Sequence, residues 1–316
     1  LKVVGFSEEE QTNIFEIISV ILHLGNIEFS KYVKDVQAQI TSDIKPLVRL
    51  LGVDEKNFAK AILSPRSKAG KEFVFAKKTS QQCANIVNSL SKIIYEKLFD
   101  HIVFQINKSL DHGSMTENYI GLLDIAGFEI FDNNSFEQLL INYTNENLQQ
   151  FFNHHMFVLE QNEYIKENIQ WDYVDYGQDL QTTIDLIEKP PSSLLSLLDE
   201  ESIIPNSTDA KFYDRLLHSC SKSDRFKHSK NKQMFVLKHY AGDVEYNVQD
   251  WLHKNKEPLN DHLIDVLSSS SKSLITQFFS PTSQDGGTQT SKKSITTKFK
   301  TQAQRHKHQL KDLLTN

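Results

Sequence analysis

The chain has 316 residues with a formal net charge of −6, and 39% of its residues are hydrophobic while 24% are charged. This composition predicts a globular protein with a substantial core, arranged as one large domain or two ordinary ones. No apolar stretch approaches the length of about 20 residues that a membrane-spanning helix requires. Two cysteines far apart in sequence fit no metal-binding spacing and favour a reducing, cytoplasmic location.

The chain has no signal peptide, and Leu1 is not an initiator methionine. We therefore expect a piece of a longer protein.

Positive charge is concentrated in two stretches. Every charged residue in 291–311 is basic, and residues 66–78 contain five basic residues and one acid, Glu72. Solvated loops and docking surfaces for an acidic partner both remain open. We expect no nucleic-acid partner, since neither stretch follows the aromatic pattern that stacks bases.

Two long helices are predicted in the first third of the chain. Residues 7–24 begin with a capping box formed by Ser7 and Glu10 and continue as an amphipathic helix that ends at Gly25. Its predicted apolar face comprises Phe15, Ile18, Ile21 and Leu22. Residues 80–109 show apolar residues at helical spacing and predict the second helix.

Residues 119–125 are predicted to form a buried strand that ends at an acid. Asp124 is followed three residues later by Gly127, and Glu129 comes two residues after that. This D-x-x-G spacing suits a nucleotide switch, because the acid can hold magnesium through water. The glycine N–H can meet a terminal phosphate without an intervening side chain.

A long helix is predicted to follow this loop. Ser135 and Gln138 form a capping box, and the apolar pattern continues to about Ile165. About 30 residues at 1.5 Å each make a rod of about 45 Å. Such a helix can be a central core element, a lever that transmits motion from the switch, or both.

The remaining pattern is mixed. A turn at Pro190-Pro191 begins a helix that ends near Ile204-Pro205, and residues 234–239 and 244–248 predict paired strands joined by Ala241-Gly242-Asp243. Residues 279–297 lack apolar periodicity and predict a mobile loop. The sequence contains no G-x-x-x-x-G-K-[ST] phosphate loop, so the switch lacks its usual phosphate cradle within these residues.

Several strings together resemble the myosin motor domain, over essentially the whole chain. They are Asp124-Ile-Ala-Gly-Phe-Glu129, Asn134-Ser-Phe-Glu-Gln138, Ile141-Asn-Tyr-Thr-Asn-Glu146 and the run from Leu148 to Gln161, with Ile21-Leu-His-Leu-Gly-Asn-Ile27 before them and His239-Tyr-Ala-Gly242 and Trp251 after them. The run from Leu148 to Gln161 is most similar to the conventional, filament-forming class II.

The resemblance implies a predominantly helical α/β fold of the P-loop NTPase type, of which this chain is the central portion. Residues 1–118 would belong to the upper actin-binding subdomain, and 119–129 would be the switch II strand and loop. Residues 130–279 would form the relay helix and the lower actin-binding subdomain, followed by a flexible surface loop at 280–298 and the start of a helix at 299–316.

The resemblance also implies roles for single residues. Asp124 would reach Mg²⁺ through water, and the Gly127 N–H would meet the γ-phosphate of ATP. Glu129 would pair with a switch I arginine upstream of Leu1, so it would be an unpaired buried acid here, and these residues alone would not hydrolyse ATP. The mechanical relay would include Ser135, Phe152 and Trp171.

Three stretches are similar to actin-facing elements of that family. Arg66 and Lys68 would belong to the upper actin loop, and Lys292 and Lys293 to the charged loop. The lower helix-loop-helix would present Pro190, Pro191, Leu194, Ile204 and Pro205. This sequence departs from the family pattern at Ser192-Ser193, where one glycine is typical, and at Glu257, where aspartate is usual.

An ATP-driven actin motor is thus the first hypothesis. Its partners would be the actin filament and, through regions outside this chain, light chains and a second heavy chain; its location would be the cytoplasmic actin cytoskeleton. A non-catalytic actin-binding protein on a similar scaffold is the alternative. A kinesin-like or GTPase-like switch protein shares the D-x-x-G logic but not the relay helix or the actin elements.

Overall fold

The computed structural model describes residues 1–30, 37–69, 72–111, 120–174, 180–204, 207–256, 259–280 and 301–315, with the side chains of 67–69 and 72 left out. Predicted positions Pro205, Lys292 and Lys293, and the side chain of Lys68, lie outside the described part. The predicted loop at 280–298 also lies outside it, except for Ser280.

Most of the described residues are helical. The α-helices in chain order are α1 Glu8–Gly25, α2 Lys45–Leu51, α3 Glu55–Leu63, α4 Ser80–Leu110, α5 Phe136–Asn153, α6 Glu160–Lys166, α7 Gln181–Glu188, α8 Leu194–Ile203, α9 Asp209–Cys220, α10 Trp251–Asn255, α11 Asp261–Ser268, α12 Ser273–Phe279 and α13 Gln302–Thr315. A 3₁₀ turn at Lys2–Val4 precedes α1, and a π-helical segment, His154–Leu159, joins α5 to α6. No helix in the described part is long and apolar enough to span a membrane.

The strands form two small antiparallel sheets. Strands β1 Arg66–Ala69 and β2 Glu72–Phe75 pair as a hairpin with Arg66 opposite Phe75. Strands β3 Phe226–His228, β4 Met234–His239 and β5 Gly242–Asn247 form the second sheet in that order, with Leu237 opposite Val244. The predicted pairing of β4 with β5 is confirmed, although Gly242 and Asp243 belong to β5 rather than to the turn.

The chain divides into two compact units, each with its own core. The first unit is Leu1–Tyr119 with Pro258–Thr297, and the second is Ile120–Glu257 with Lys298–Asn316. The predicted lower subdomain, 130–279, differs from this division, because α11 packs with α3 in the first unit and α12 packs with α11. Their apolar residues Leu263, Leu267 and Ile275 are fully buried in the core of that unit.

Both predicted helices of the first unit form. Ser7 Oγ accepts from Glu10 N at 3.2 Å and the Glu10 carboxylate accepts from Ser7 N at 2.8 Å, so the capping box begins α1 as expected. The predicted apolar face of α1 was wrong, however. The helix buries Ile14, Ile17, Val20 and Leu24, while Phe15 and Leu22 are exposed. Both sides of α1 carry apolar residues, and packing against α2 and α4 selects one of them.

Aromatic side chains dominate the core of the second unit. The ring of Trp251 is fully buried and lies within 6.0 Å, centroid to centroid, of the rings of Phe136, Phe212 and Phe235. Rings of this size contribute the largest apolar areas in a core. This cluster joins α5, α9, α10 and β4, and it seats the N-terminal end of α5.

The predicted strand at 119–125 does not form among residues 120–125. Ile120 and Leu122 are 98% and 99% exposed instead of buried. A strand needs a neighbour for its backbone N–H and C=O groups, and no described strand pairs with this segment. The described residues hold only the two small antiparallel sheets.

Candidate functional site

The segment that contains Asp124, Gly127 and Glu129 is an irregular loop held at one end of α5. Asp124 and Gly127 face solvent. No atom lies within 4 Å of the position that a Cβ would occupy at Gly127. Around the predicted phosphate-sensing glycine, the loop therefore leaves open space for a ligand.

Three side chains of α5 hold the loop in place. Asn145 Nδ2 donates to Ala126 O at 2.9 Å. Asn142 makes a two-way pair with the backbone of Glu129: its Oδ1 accepts from Glu129 N at 2.8 Å and its Nδ2 donates to Glu129 O at 2.8 Å. Gln138 Nε2 donates to the Glu129 carboxylate at 3.3 Å. The loop and the helix thus form one hydrogen-bonded assembly.

The expectation that Glu129 is a buried, unpaired acid was wrong. Its side chain is half-buried, and its Oε2 accepts the bond from Gln138. Gln138 is also the capping residue of α5, since its Oε1 accepts from Ser135 N at 2.9 Å. The Gln138 amide therefore caps the start of α5 and also donates to the Glu129 carboxylate. Water can solvate the remainder of that carboxylate.

Ser135 and Asn134 connect the start of α5 to the rest of the second unit. Lys254 Nζ donates to Ser135 Oγ at 2.9 Å and lies 2.7 Å from Glu137 Oε2. Asn134 Nδ2 donates to Glu245 O at 3.0 Å, while Asn247 N donates to Asn134 O at 2.8 Å. The loop end is therefore joined to β5 as well as to α5.

A buried polar network extends from Asn142 to β4 and β5. Asn142 Nδ2 donates to Tyr246 Oη at 2.9 Å, and Tyr246 Oη lies 2.9 Å from His239 Nε2. His239 Nδ1 lies 3.1 Å from Glu146 Oε2, and both Glu146 oxygens accept from Tyr240 N at 3.2 Å. The side chains of His239 and Glu146 are fully buried.

The hydrogen bonds in this network link all of its members. Tyr246 Oη accepts from Asn142 and its own hydrogen is free to be donated to His239 Nε2, while His239 Nδ1 contacts Glu146. Burial raises the pKa of Tyr246 well above its ordinary value, which keeps its hydroxyl protonated. Every member then has a partner, as a buried network requires.

Sequence analysis missed this network. Asn142 and Glu146 are four residues apart on the stripe of α5 that is otherwise apolar, and both are fully buried. Polar residues at that spacing on a core-facing stripe were the available signal, because buried polar groups need partners. Their partners His239 and Tyr246 lie about a hundred residues away, where no local pattern points to them.

The long helix after the loop is confirmed, and it ends at Lys166. Its second half is exposed rather than packed: Phe151 and Phe152 are about half exposed, and Leu159 is 42% exposed. The π-helical segment His154–Leu159 interrupts the α-helical pattern between α5 and α6. Such segments are rare and frequently occur at functional sites.

Trp171 lies in the loop after α6 and is fastened to that helix. Its Nε1–H donates to Gln161 Oε1 at 2.8 Å, and its ring meets the Tyr164 ring edge-on at 5.2 Å. Gln161 also accepts from Val174 N at 2.7 Å and donates to Val174 O at 2.9 Å. The indole is still 43% exposed, so it can respond to a change in its surroundings.

Arg66, predicted as a partner-facing residue, is engaged within the chain. Its Nη2 lies 2.6 Å from Asp265 Oδ2, and its guanidinium lies over the Phe73 ring at 4.9 Å. Its N–H donates to His262 Nδ1 at 3.3 Å. Burial, and then the charge of Arg66, lower the pKa of His262. The basic stretch 66–78 thus also contains aromatic residues, and the ring of Phe73 contacts the Arg66 guanidinium.

The predicted residues around α8 divide between surface and core. Pro190 and Pro191 are exposed in the turn between α7 and α8, and Ile204 is 44% exposed after α8. Leu194 is fully buried in the core of the second unit. It is therefore not available to a partner in this conformation, and its role is packing at the first residue of α8.

The loop fits one part of a magnesium–nucleotide site. Magnesium is usually held by one or two carboxylates together with substrate phosphates and water. Asp124 offers one exposed carboxylate, and Gly127 offers an open backbone position beside it. In the part of the chain that the structure describes, no group of three histidine, cysteine or acidic residues could hold a metal ion alone.

Comparison with known proteins gives the family of this chain. A family model described as the myosin head (motor domain) matches residues 1–316. "Myosin-1" of Saccharomyces cerevisiae is 55% identical over 99% of this chain and 17% of its own length. "Myosin type-2 heavy chain 1" and "Myosin type-2 heavy chain 2" of Schizosaccharomyces pombe are each 46% identical over 99% of this chain, and over 21% and 15% of their own lengths.

The chain therefore spans about a fifth or less of the length of these relatives. Its match to the family covers the candidate loop, the long helix that follows it and both compact units. The chain belongs to the myosin head (motor domain) family.

Proposed function

We propose that this chain is the part of an actin-based ATP motor that senses the bound nucleotide and passes its state to a long helix. The observation that supports this most is the attachment of the candidate loop to α5 through Asn145, Asn142 and Gln138. A movement of this loop would therefore either be passed to α5 or break these hydrogen bonds. Membership in the motor-domain family supports a nucleotide as the ligand that the loop senses.

Three residues of the loop would act on the nucleotide. Asp124 would hold Mg²⁺ through water, the Gly127 N–H would donate to the terminal phosphate, and Glu129 would position the attacking water. Bound Mg²⁺ would neutralise charge on the phosphates. Glu129 is held by Asn142 and Gln138, so its position would follow that of α5.

The helix from Phe136 to Lys166 would transmit the change. Its first half is held by the aromatic core around Trp251, and its second half exposes apolar residues such as Phe152. An exposed apolar surface of this kind suits a moving partner element. Trp171, fastened to α6 through Gln161, would report the movement.

Arg66, Pro190, Pro191 and Ile204 are proposed to contact actin, together with Lys68, Pro205, Lys292 and Lys293, which lie outside the described residues or side chains. A partner that binds Arg66 would have to compete with Asp265 for the guanidinium. Light chains and a second heavy chain would bind elsewhere in the longer protein.

Co-sedimentation with actin filaments tests the motor proposal. A complete motor domain that contains these residues is expected to pellet with actin without nucleotide and to be released by Mg²⁺ATP. Release requires that nucleotide binding and actin binding be coupled. Pelleting that ATP leaves unchanged would contradict the motor and favour a non-catalytic actin-binding protein.

The 316-residue chain alone is expected to show no steady ATP hydrolysis. Its sequence contains no phosphate loop, and Asp124 and Gly127 are both open to solvent. Hydrolysis needs groups that surround the phosphate and exclude bulk water. A phosphate-release assay checks this, with the complete motor domain as the positive control; turnover by the isolated chain would contradict the proposal.

A further inference from the structure

We propose that Tyr246 is a positioning residue for Glu129 and that it acts through Asn142. This inference rests on the proposed function, in which Glu129 positions the attacking water. Tyr246 lies on β5 and does not touch Glu129 itself. Its hydroxyl accepts one N–H of the Asn142 amide, and that same amide holds the Glu129 backbone.

The geometry of the Asn142 amide explains the coupling. Its Oδ1 accepts from Glu129 N at 2.8 Å, and its Nδ2 donates both to Glu129 O at 2.8 Å and to Tyr246 Oη at 2.9 Å. The plane of the amide is thus set from two sides. Without the Tyr246 hydroxyl, one fully buried N–H loses its acceptor, and a rotation that finds a new acceptor breaks the pair with Glu129.

The hydroxyl of Tyr246 is itself held by a closed ring of bonds. From Tyr246 the network passes to His239 at the end of β4 and then to Glu146 on α5, one helical turn after Asn142. The Tyr246 ring is fully buried and stacks on Phe235 with centroids 5.6 Å apart. The ring of bonds therefore begins and ends on α5 and passes through Tyr246 on β5 and His239 on β4.

A positioning role of Tyr246 and a purely structural role predict different effects on hydrolysis and on folding. A catalytic group is effective only when it is held in the productive geometry by packed and hydrogen-bonded neighbours. Loss of the Tyr246 hydroxyl should therefore change the hydrolysis step more than it changes folding. The same loss at a tyrosine outside the network should change folding alone.

Tyr213 is a matched control for Tyr246. Its hydroxyl donates to Met234 O at 2.8 Å, so it also joins a helix, α9, to strand β4. Among the hydrogen bonds of the described residues, none joins the Tyr213 hydroxyl to Asn142, Glu129 or His239. Tyr246→Phe and Tyr213→Phe each remove one hydroxyl oxygen. The first removes two hydrogen bonds, to Asn142 and His239, and the second removes one, to Met234 O. Only the first change reaches the loop.

The experiment measures rapid-quench ATP hydrolysis in a complete motor domain that contains these residues. Tyr246→Phe is expected to slow the hydrolysis step on the order of tenfold, because a small misplacement of a catalytic group is costly. The rate of ATP binding and the affinity for actin without nucleotide should stay at the wild-type level. Tyr213→Phe should hydrolyse ATP at the wild-type rate.

A second pair of variants tests the same coupling independently, should Tyr246→Phe fold poorly. Asn142→Ser leaves a hydroxyl too short to bridge Glu129 and Tyr246, and it is expected to slow hydrolysis at least as much. Asn147→Ser is its control on the same helix, since Asn147 Nδ2 donates to Tyr143 O at 2.9 Å. Thermal unfolding of all four variants shows which of them are folded.

Equal hydrolysis rates in each variant and its control would overturn the positioning role. Failure of the proposed function would look different, since the wild-type motor domain itself would not hydrolyse ATP. A third outcome, in which Tyr246→Phe is slow while Glu129→Ala is not, would also overturn the inference, because Tyr246 would then act on some other group.

Discussion

Replacement of Glu129 by alanine in a complete motor domain is expected to lower ATP hydrolysis by about 10²-fold or more, because a positioned group that acts in the transition state typically contributes that much. The change should have little effect on folding. The carboxylate is half-buried, and its recorded side-chain bond is the 3.3 Å contact from Gln138. The backbone pair between Glu129 and Asn142 does not need the side chain.

The control for this prediction is Asp132→Ala in the same loop. Asp132 is an exposed acid three residues from Glu129. The two variants remove the same charge from the same segment, so a general electrostatic effect on nucleotide binding would appear in both. We expect Asp132→Ala to hydrolyse ATP at close to the wild-type rate. Equal rates for the two variants would remove Glu129 from the proposed mechanism.

The largest expected effect on stability is that of Trp251→Ala. The Trp251 side chain is fully buried and touches rings from α5, α9 and β4. Its removal leaves a large cavity in the second unit and should lower the free energy of unfolding of that unit by about 3–5 kcal/mol. Urea unfolding followed by circular dichroism measures the change.

The second tryptophan supplies the control. Trp171 is 43% exposed and is held by one bond to Gln161 and one ring contact. Trp171→Ala should therefore cost about 1 kcal/mol. In the described part of the chain Trp251 Nε1 has no hydrogen-bond partner. Neither substitution therefore breaks a hydrogen bond, and Trp251→Phe should cost less than Trp251→Ala because it removes less volume. Similar costs for the two alanine variants would mean that the aromatic cluster is not the centre of this core.

Local patterns predicted local structure well. Ser7 with Glu10 and Ser135 with Gln138 form the predicted capping boxes in the structure, and α1 and α5 begin directly after the two serines. Capping depends on residues three positions apart, so a short window of sequence contains all the information. The hairpin of β4 and β5 was predictable for the same reason, because its strands are joined by a turn of a few residues.

The choice of buried face was not predictable in this way. Helix α1 has apolar residues on two sides, and only contact with α2 and α4 decides that Val20 is buried and Leu22 exposed. The segment 119–125 has the composition of a strand, yet its described residues 120–125 do not form one, because pairing is a property of two segments. Leu194 was expected at a contact surface and lies in the core, because contacts with other segments decide which side of a helix is buried.

The candidate site likewise combines residues that a local pattern predicts with contacts that only folding brings together. Asp124, Gly127 and Glu129 were predicted from their spacing together with the resemblance of the strings around them, because magnesium and phosphate suit those residue types close together in one loop. The bonds that hold Glu129 come from Asn142 and, behind it, from Tyr246, His239 and Glu146. Tyr246 and Asn142 are 104 positions apart. The sequence thus predicts the candidate loop and the helix after it, while the position of Glu129 is decided by the tertiary structure, since a buried polar side chain must find its partner wherever folding brings one.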